Sequence, residues 1–386
     1  MDVKQVIDCL LTLLRFEMNG AEGCCDIKTI KNSDGLSALF RLSKKHDLVH
    51  LVADALDKNG LLIDGSEAKK RFLQERNMAV YRYEQQQYEL DQICAVLQQS
   101  KVPFIPLKGA LIRTLYPQPW MRTSCDIDIL VKEEDLPRAI DALTTALNYQ
   151  YGGKNNHDVS LFAESGVHLE LHYKLNDSNQ GWDSVLGSVW DYAEAEENFR
   201  YVLTKEMFYF YHIAHMAGHF KFGGCGVRSV LDLFLLRKYI SYNQDALADL
   251  LKQGGLTAFN EAVCALSDYW FGGGNETPLV LELNDFILNA GMYGDVKNRV
   301  TIAKVKKGGR LKALFSRVFL PYNKLKFQYP ILQKHKILVP FYQVKRWFNL
   351  LDKDRRKQSV YELKATIQEN EETTERITKL LKHLDI

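Results

Sequence analysis

Apolar positions in the first hundred residues recur every three or four places, the period of one helix face. Val6, Leu10, Leu13 and Leu14 open the pattern. Between Ser37 and Asp57 it returns with Leu39, Leu42, Leu48, Leu51, Val52 and Leu56, and Asn59-Gly60 breaks it. Ser66 to Ser100 predicts one long, polar-rich helix carrying Tyr81, Tyr83, Tyr88, Leu90, Ile93 and Leu97. The tyrosines on it read as packing residues rather than a platform for stacking bases. The period then changes. Val102 to Leu107 is a short apolar strand running into Lys108-Gly109, and Leu111 to Tyr116 is a helical stretch stopped by Pro117 and Pro119. Asp126 to Val131 alternates as a strand, and Lys132 to Leu147 returns to helix with Leu136, Ile140, Leu143 and Leu147 on one face. Asn155 to Asp158 is a polar turn, and Val159–Phe162 with Val167–Leu175 predicts a hairpin around Glu164-Ser165-Gly166. From about residue 204 the pattern is again helical.

These elements predict an α+β chain: a small mixed sheet flanked by N-terminal and C-terminal helical regions. The expected divisions are a helical region 1–100, a sheet-bearing core 101–190, a helical domain 191–300 packing on that core, and a basic helical region 301–386. The length of 386 residues fits more than one domain.

Candidate chemistry concentrates at Asp126-Ile127-Asp128. Side chains two apart on a strand share a face, so the carboxylates project together while Ile127 and Ile129 turn to a core. Two like charges side by side raise each other's pKa unless a cation neutralises them. Magnesium, with manganese as an alternative, suits oxygen donors of this kind shared with substrate phosphates. The glycine turn upstream suits the approach of a bound anion. Glu170 stands on a strand where Val167, Leu169 and Leu171 face one way and His168, Glu170 and His172 the other. Read alone, Lys108 and Arg122 are either phosphate-binding cations or ordinary surface charges.

Taken together, Lys108-Gly109, Tyr116-Pro117, Arg122 and Asp126-Ile127-Asp128-Ile129-Leu130-Val131 resemble the uncharacterised bacterial nucleotidyltransferases of the DNA polymerase β-like superfamily. The resemblance is specific over residues 102–175 and weaker over 205–235. It implies a nucleotidyltransferase core in which Asp126, Asp128 and a third carboxylate, Glu170, hold the metal and carry catalysis. It implies that Lys108, Gly109, Ala110, Arg122 and His172 contact the nucleotide, although Ala110 stands where the family has Gly or Ser and the following spacer is longer. His172 would orient Glu170 or touch substrate. A His-rich helix followed by an Asp-containing one is a further family trait, which makes His212, His215, His219, Arg228 and Asp232 candidate pocket residues. The three histidines, spaced three and four apart, either line the interface with the sheet or, less simply, hold a metal. Arg228 and Asp232 either face the pocket or pair with each other.

The implied reaction moves a nucleoside monophosphate from a nucleoside triphosphate to an acceptor hydroxyl, with release of pyrophosphate. The acceptor is left open among small molecule, sugar, protein and RNA. Alternatives are a toxin-like transferase acting on RNA or protein, and a catalytically silent nucleotide-binding scaffold.

Composition narrows this further. With 50 Lys+Arg against 48 Asp+Glu the net charge is +2, which gives no argument for nucleic-acid binding by the whole chain. Basic and aromatic residues nevertheless gather between Lys304 and Arg346. That segment could meet a phosphate backbone or an anionic membrane surface, or remain a solvated helix face. Residues 359–386 read as a charged, exposed helix. The seven cysteines, with Cys24-Cys25 adjacent and no Cys-x-x-Cys pair, indicate neither a disulfide framework nor a zinc site. No signal peptide or membrane-spanning segment is expected, so the expected location is the cytoplasm. Oligomeric state is left open.

Overall fold

The computed structural model describes residues 2–20, 33–175, 180–292, 296–307, 319–320, 322, 325, 329–348 and 371–386. They form an α+β chain that falls into two compact units. The first takes in Met1–His215 and Val227–Val280, and the second Met216–Gly226 and Leu281–Ile386.

In the first unit, α1 (Val3–Asn19), α2 (Ser33–Lys45) and α3 (Val49–Lys58) form a helical cluster with α4 (Glu67–Gln99). Asp2 caps α1 by accepting from the Lys4 amide, and Ser66 caps α4 by accepting from Lys69. On α4 the buried residues are Phe72, Ala79, Gln86, Leu90, Ile93, Cys94 and Leu97. Tyr81 and Tyr88 are 60% and 65% exposed, so the packing role expected for them is not met. They lie seven residues apart, on a stripe outside the core-facing one.

One sheet of seven strands organises the unit, in the order β3-β4-β5-β2-β1-β7-β6. Its strands are β1 (Phe104–Pro106), β2 (Asp126–Val131), β3 (Gln150–Lys154), β4 (Asp158–Phe162), β5 (His168–His172), β6 (Ala193–Glu197) and β7 (Arg200–Leu203). Between β1 and β2 stand α5 (Gly109–Ile112), a single turn, and two short 3-10 turns over Arg113–Leu115 and Pro119–Met121. The helix expected over 111–116 is thus shorter and earlier, because the chain tightens at Arg113 before the prolines. α6 (Leu136–Leu147) ends at Asn148, whose φ of 55 is a left-handed C-cap.

β2 pairs antiparallel with β1 and parallel with β5, while β4 pairs antiparallel with both β3 and β5. One sheet face supplies Ile127, Ile129, Val131, Val159, Leu161, Leu169 and Leu171 to a core shared with Leu90, Ile93 and Leu97 of α4 and Leu136, Ala139 and Leu143 of α6. Burial of such aliphatic side chains stabilises by about 1.5–3 kcal/mol each. The opposite face is thereby left for polar side chains.

The strands that sequence periodicity missed lie at or next to the two edges. β3 reads Gln-Tyr-Gly-Gly-Lys and is mostly exposed, and β6 reads Ala-Glu-Ala-Glu-Glu. Edge strands carry charge and glycine to discourage pairing with other chains, which erases the apolar alternation that would reveal them.

Following α7 (Asp183–Gly187), the unit continues with α8 (Lys205–Lys221), α9 (Val227–Tyr239), α10 (Gln244–Gln253) and α11 (Thr257–Ser267). α8 contributes its residues up to His215. The second unit contains most of α12 (Pro278–Ala290), α13 (Val296–Lys307), a helix over Val339–Phe348 and another over Glu371–His383. Of the basic segment, Lys334, Lys336 and Lys345 are exposed and Tyr322 and Tyr329 half-buried. Arg310, Lys312, Phe315, Arg317, Lys324, Lys326, Phe327 and residues 359–370, like Cys24-Cys25, lie outside the described residues. Among the described residues, Cys9, Cys94, Cys125, Cys225 and Cys264 are not joined in disulfides. No helix among the described residues is long and apolar enough to cross a membrane.

Candidate active site

Strand register builds the polar face row by row. Asp126 stands beside His168, Asp128 beside Glu170, and Leu130 beside His172. β4 extends two of these rows, with Ser160 opposite Glu170 and Asp158 opposite His172. Asp126, Asp128, Glu170 and His172 are therefore brought together.

Oxygen and nitrogen donors of Asp126, His168 and Glu170 lie within 4.8 Å of one another, and so do those of Asp128, Glu170 and His172. Glu170 is common to both groups. The donor chemistry fits a hard cation: three carboxylates converge from two strands on one sheet face. Burial, reinforced by Asp128 and Glu170, raises the Asp126 pKa to about 6. Asp128 goes the other way: burial works against its charge, but the Lys108 ammonium and His172 hold its carboxyl well below the usual range. His172 Nε2 lies 2.9 Å from Asp128 Oδ1 and 3.5 Å from Glu170 Oε2. Burial alone would lower the imidazole's pKa, yet these two carboxylates raise it.

Lys108 sits between β1 and α5 with φ 21, outside the regions L residues favour. Such a backbone costs on the order of 1–3 kcal/mol and persists where surroundings hold it. Its Nζ lies 5.0 Å from the centre of the Tyr211 ring and, among the described residues, has no ion pair. Burial lowers its pKa, while Asp128, Asp126 and Glu170 oppose the fall. The result is a partly desolvated ammonium held near three carboxylates but joined to none. Tyr211, from α8, is buried against the same cluster, and burial raises its phenol well above the usual pKa.

Gly109 leaves room for neighbouring side chains. A Cβ there would lie 3.2 Å from Arg122 Nη1 and 3.5 Å from Ser124 Oγ. Ala110 turns to the core behind the sheet. The amides of Ala110 and Leu111 bond to the Leu107 and Lys108 carbonyls at 3.1 Å each. Arg113 is buried, with Nε on the Gly109 carbonyl at 2.8 Å and Nη2 on Ser124 Oγ at 3.1 Å and Gln86 Oε1 at 3.3 Å.

The remaining candidates form separate contacts. Arg122 clasps Asp232 of α9, with Nη2 to Oδ2 at 3.0 Å and Nε to both oxygens at 3.2 Å; Tyr116 donates to the same carboxylate at 2.7 Å. Arg228 bonds Asp47 Oδ2 at 3.0 Å and the Thr123 carbonyl at 2.9 Å. Arg228 and Asp232 thus do not pair with each other: Arg122 occupies Asp232, and Arg228 turns to the loop ahead of β2. His212 is buried, 3.1 Å from the Ser229 carbonyl, and burial lowers its pKa. His215 lies 6.5 Å from the Tyr211 ring centre. His219 belongs to the second unit, where its carbonyl accepts from Phe222 and Gly224 at the end of α8. From that helix, Tyr211 lies against the Lys108 ammonium beside the carboxylate cluster. In sequence it stands in the run Phe208-Tyr209-Phe210-Tyr211, where nothing marks one ring as different. His168 was legible from strand alternation; His157 and Asp158 were hidden in what read as a polar turn.

A model of the uncharacterised nucleotidyltransferase family matches residues 32–272, more than half of the chain. No curated protein matches. Among solved structures, the solution structure of the antibiotic-resistance factor ANT(2'')-Ia aligns at 12% identity with a TM-score of 0.34, covering 48% of this chain and 97% of that one.

Proposed function

The chain belongs to the uncharacterised nucleotidyltransferase family and is a nucleotidyltransferase enzyme; on that premise we propose that it transfers a nucleoside monophosphate from a nucleoside triphosphate to an acceptor hydroxyl, releases pyrophosphate and requires magnesium. We assign the core of this reaction to residues 101–190. One observation carries the reading: Asp128 and Glu170 stand in register on parallel strands, Asp126 shares their face, and the Lys108 ammonium, with no ion pair among the described residues, lies near them.

Asp126, Asp128 and Glu170 would hold magnesium or manganese, which when bound supplies positive charge to the triphosphate and the departing pyrophosphate. Lys108 binds the β- and γ-phosphates as a point charge. The Tyr211 face steadies that ammonium by a cation–π contact. His172 orients Asp128 through Nε2. Glu170 either completes the cation's oxygen donors or accepts the proton of the acceptor hydroxyl. Arg122, committed to Asp232, fixes the connection from β1 to β2 on which Gly109 and Ser124 lie. The acceptor is a small molecule, sugar, protein or RNA bearing a hydroxyl, and the cytosol is the proposed place of action because nucleoside triphosphates are supplied there.

The test incubates the protein with each labelled nucleoside triphosphate, magnesium and a cell lysate, following pyrophosphate release and the species that becomes labelled. Transfer that stops in Asp128→Asn supports the reading. Turnover unchanged in that variant overturns it.

A further inference from the structure

The polar sheet face carries a second cluster beyond the three carboxylates. Asp158 of β4 is buried directly opposite His172 of β5. Its Oδ2 lies 2.8 Å from Nε2 of His157, in the turn that leads into β4. The His157 and His172 rings are stacked, 23° from parallel with centroids 5.8 Å apart. One donor atom from each of His157, Asp158 and His172 falls within 4.8 Å of the others.

The two nitrogens of His172 have unequal surroundings. Nε2 meets Asp128 Oδ1 at 2.9 Å. Among the described residues Nδ1 has no hydrogen-bond partner, and the residue is 6% exposed. Deprotonated at Nδ1, the imidazole still donates from Nε2 to Asp128 and offers a lone pair on Nδ1, so a cation there displaces the proton that the neighbouring carboxylates favour. A buried lone pair of this kind needs a donor or a Lewis acid. Metal-bound histidines commonly hold their other N–H on a carboxylate, as His172 holds Asp128. Two imidazoles and one carboxylate suit zinc, cobalt or nickel, whereas magnesium prefers oxygen donors throughout.

We infer that His157, Asp158 and His172 form a binding site for a zinc-class divalent cation, separate from the three carboxylates and joined to them through the His172 imidazole. A cation on Nδ1 fixes the tautomer that donates from Nε2, and so fixes the Asp128 carboxylate. The site does not depend on the transfer reaction.

The experiment uses full-length protein stripped with chelator and titrated with Co2+ in excess Mg2+. Binding is read from the visible absorption of the cobalt ion, with Zn2+ calorimetry in parallel. Wild type is expected to take up one equivalent. Asp126→Asn is expected to keep it, and His157→Asn to weaken it by about tenfold or more. His157 is partly exposed, and circular dichroism checks that its variant folds. Asp158→Asn, where it folds, is expected to match His157→Asn. Absence of the band in wild type, or a band that His157→Asn leaves unchanged, overturns the inference.

Discussion

Arg122 and Asp232, 110 residues apart in the chain, form a buried forked ion pair, with Nη2 to Oδ2 at 3.0 Å and Nε between both oxygens. The pair ties the loop ahead of β2 to α9, and Tyr116 adds a hydrogen bond to the same carboxylate. Removing one partner leaves a buried charge uncompensated, at a cost of about 3–5 kcal/mol. Asp232→Ala is therefore expected to lower unfolding free energy by that order in urea denaturation. Arg122→Lys should recover little, since an ammonium lacks the planar fork. Burial opposes the Asp232 charge, but Arg122 holds its pKa below the ordinary carboxylate value. A depressed carboxylate contributes stability that is full above the unfolded pKa of about 4 and is lost as pH falls below it. The wild-type excess in stability over Asp232→Ala should shrink over that range. A loss under about 1 kcal/mol at neutral pH would contradict the pair's structural role.

Lys108 makes opposite demands on two ligands. As a phosphate-binding cation it attracts triphosphate; as a neighbour of Asp126, Asp128 and Glu170 it repels any metal bound there alone. Lys108→Ala should raise the KM for nucleoside triphosphate by about tenfold or more, the loss expected for a charge-assisted phosphate contact. The same substitution should tighten magnesium binding measured without nucleotide. If KM stays unchanged while metal affinity rises, Lys108 is a counter-charge and not a phosphate ligand.

These two sites show what could be read from sequence. Asp126, Asp128, Glu170 and His172 were legible because strand alternation and order along the chain fix which residues share a face, and register then sets them side by side. Lys108 was legible from its place after a short apolar strand. The partners of Arg122, Arg228 and Asp232 were not. They join elements roughly a hundred residues apart or more, and no local period encodes which guanidinium meets which carboxylate. Tyr211 was hidden for a related reason: on an aromatic-rich helix, composition does not single out the ring that points at charge. The edge strands β3 and β6 were missed because protection against edge pairing removes the alternation that identifies a strand.

Asp126 gives the carboxylate cluster a pH dependence. In the metal-free protein its carboxyl, raised by burial and by Asp128 and Glu170, titrates at about 6. A cation must displace that proton, so magnesium affinity should be nearly level above pH 7 and fall by about tenfold for each unit below 6. Manganese titration followed by electron paramagnetic resonance, between pH 5 and pH 8 or about that range, measures it. Asp126→Asn should bind more weakly and lose the dependence. A slope that persists in Asp126→Asn would assign the titrating group elsewhere.

Arg113 is a buried guanidinium whose hydrogen bonds go to neutral groups: the Gly109 carbonyl, Ser124 Oγ and Gln86 Oε1. Burial, with Arg122 nearby, lowers its pKa to about 10. It joins the turn that carries Lys108 to the residue two places before Asp126, so it sets the distance between the phosphate-binding cation and the carboxylates. Gln86 braces the same point, donating to the Ser124 carbonyl at 3.0 Å and accepting from Ser124 Oγ at 2.9 Å. Arg113→Met keeps the length of the side chain and removes its donors. Gln86 and Ser124 can still satisfy each other, so the stability loss should stay near about 2 kcal/mol. The catalytic effect should be larger than that loss suggests, because a displacement of about 1 Å at a reacting centre can cost a hundredfold in rate. Metal affinity without nucleotide should be preserved, since β2 and β5 hold the carboxylates independently. Equal losses of metal binding and turnover would show instead that Arg113 supports the whole sheet face.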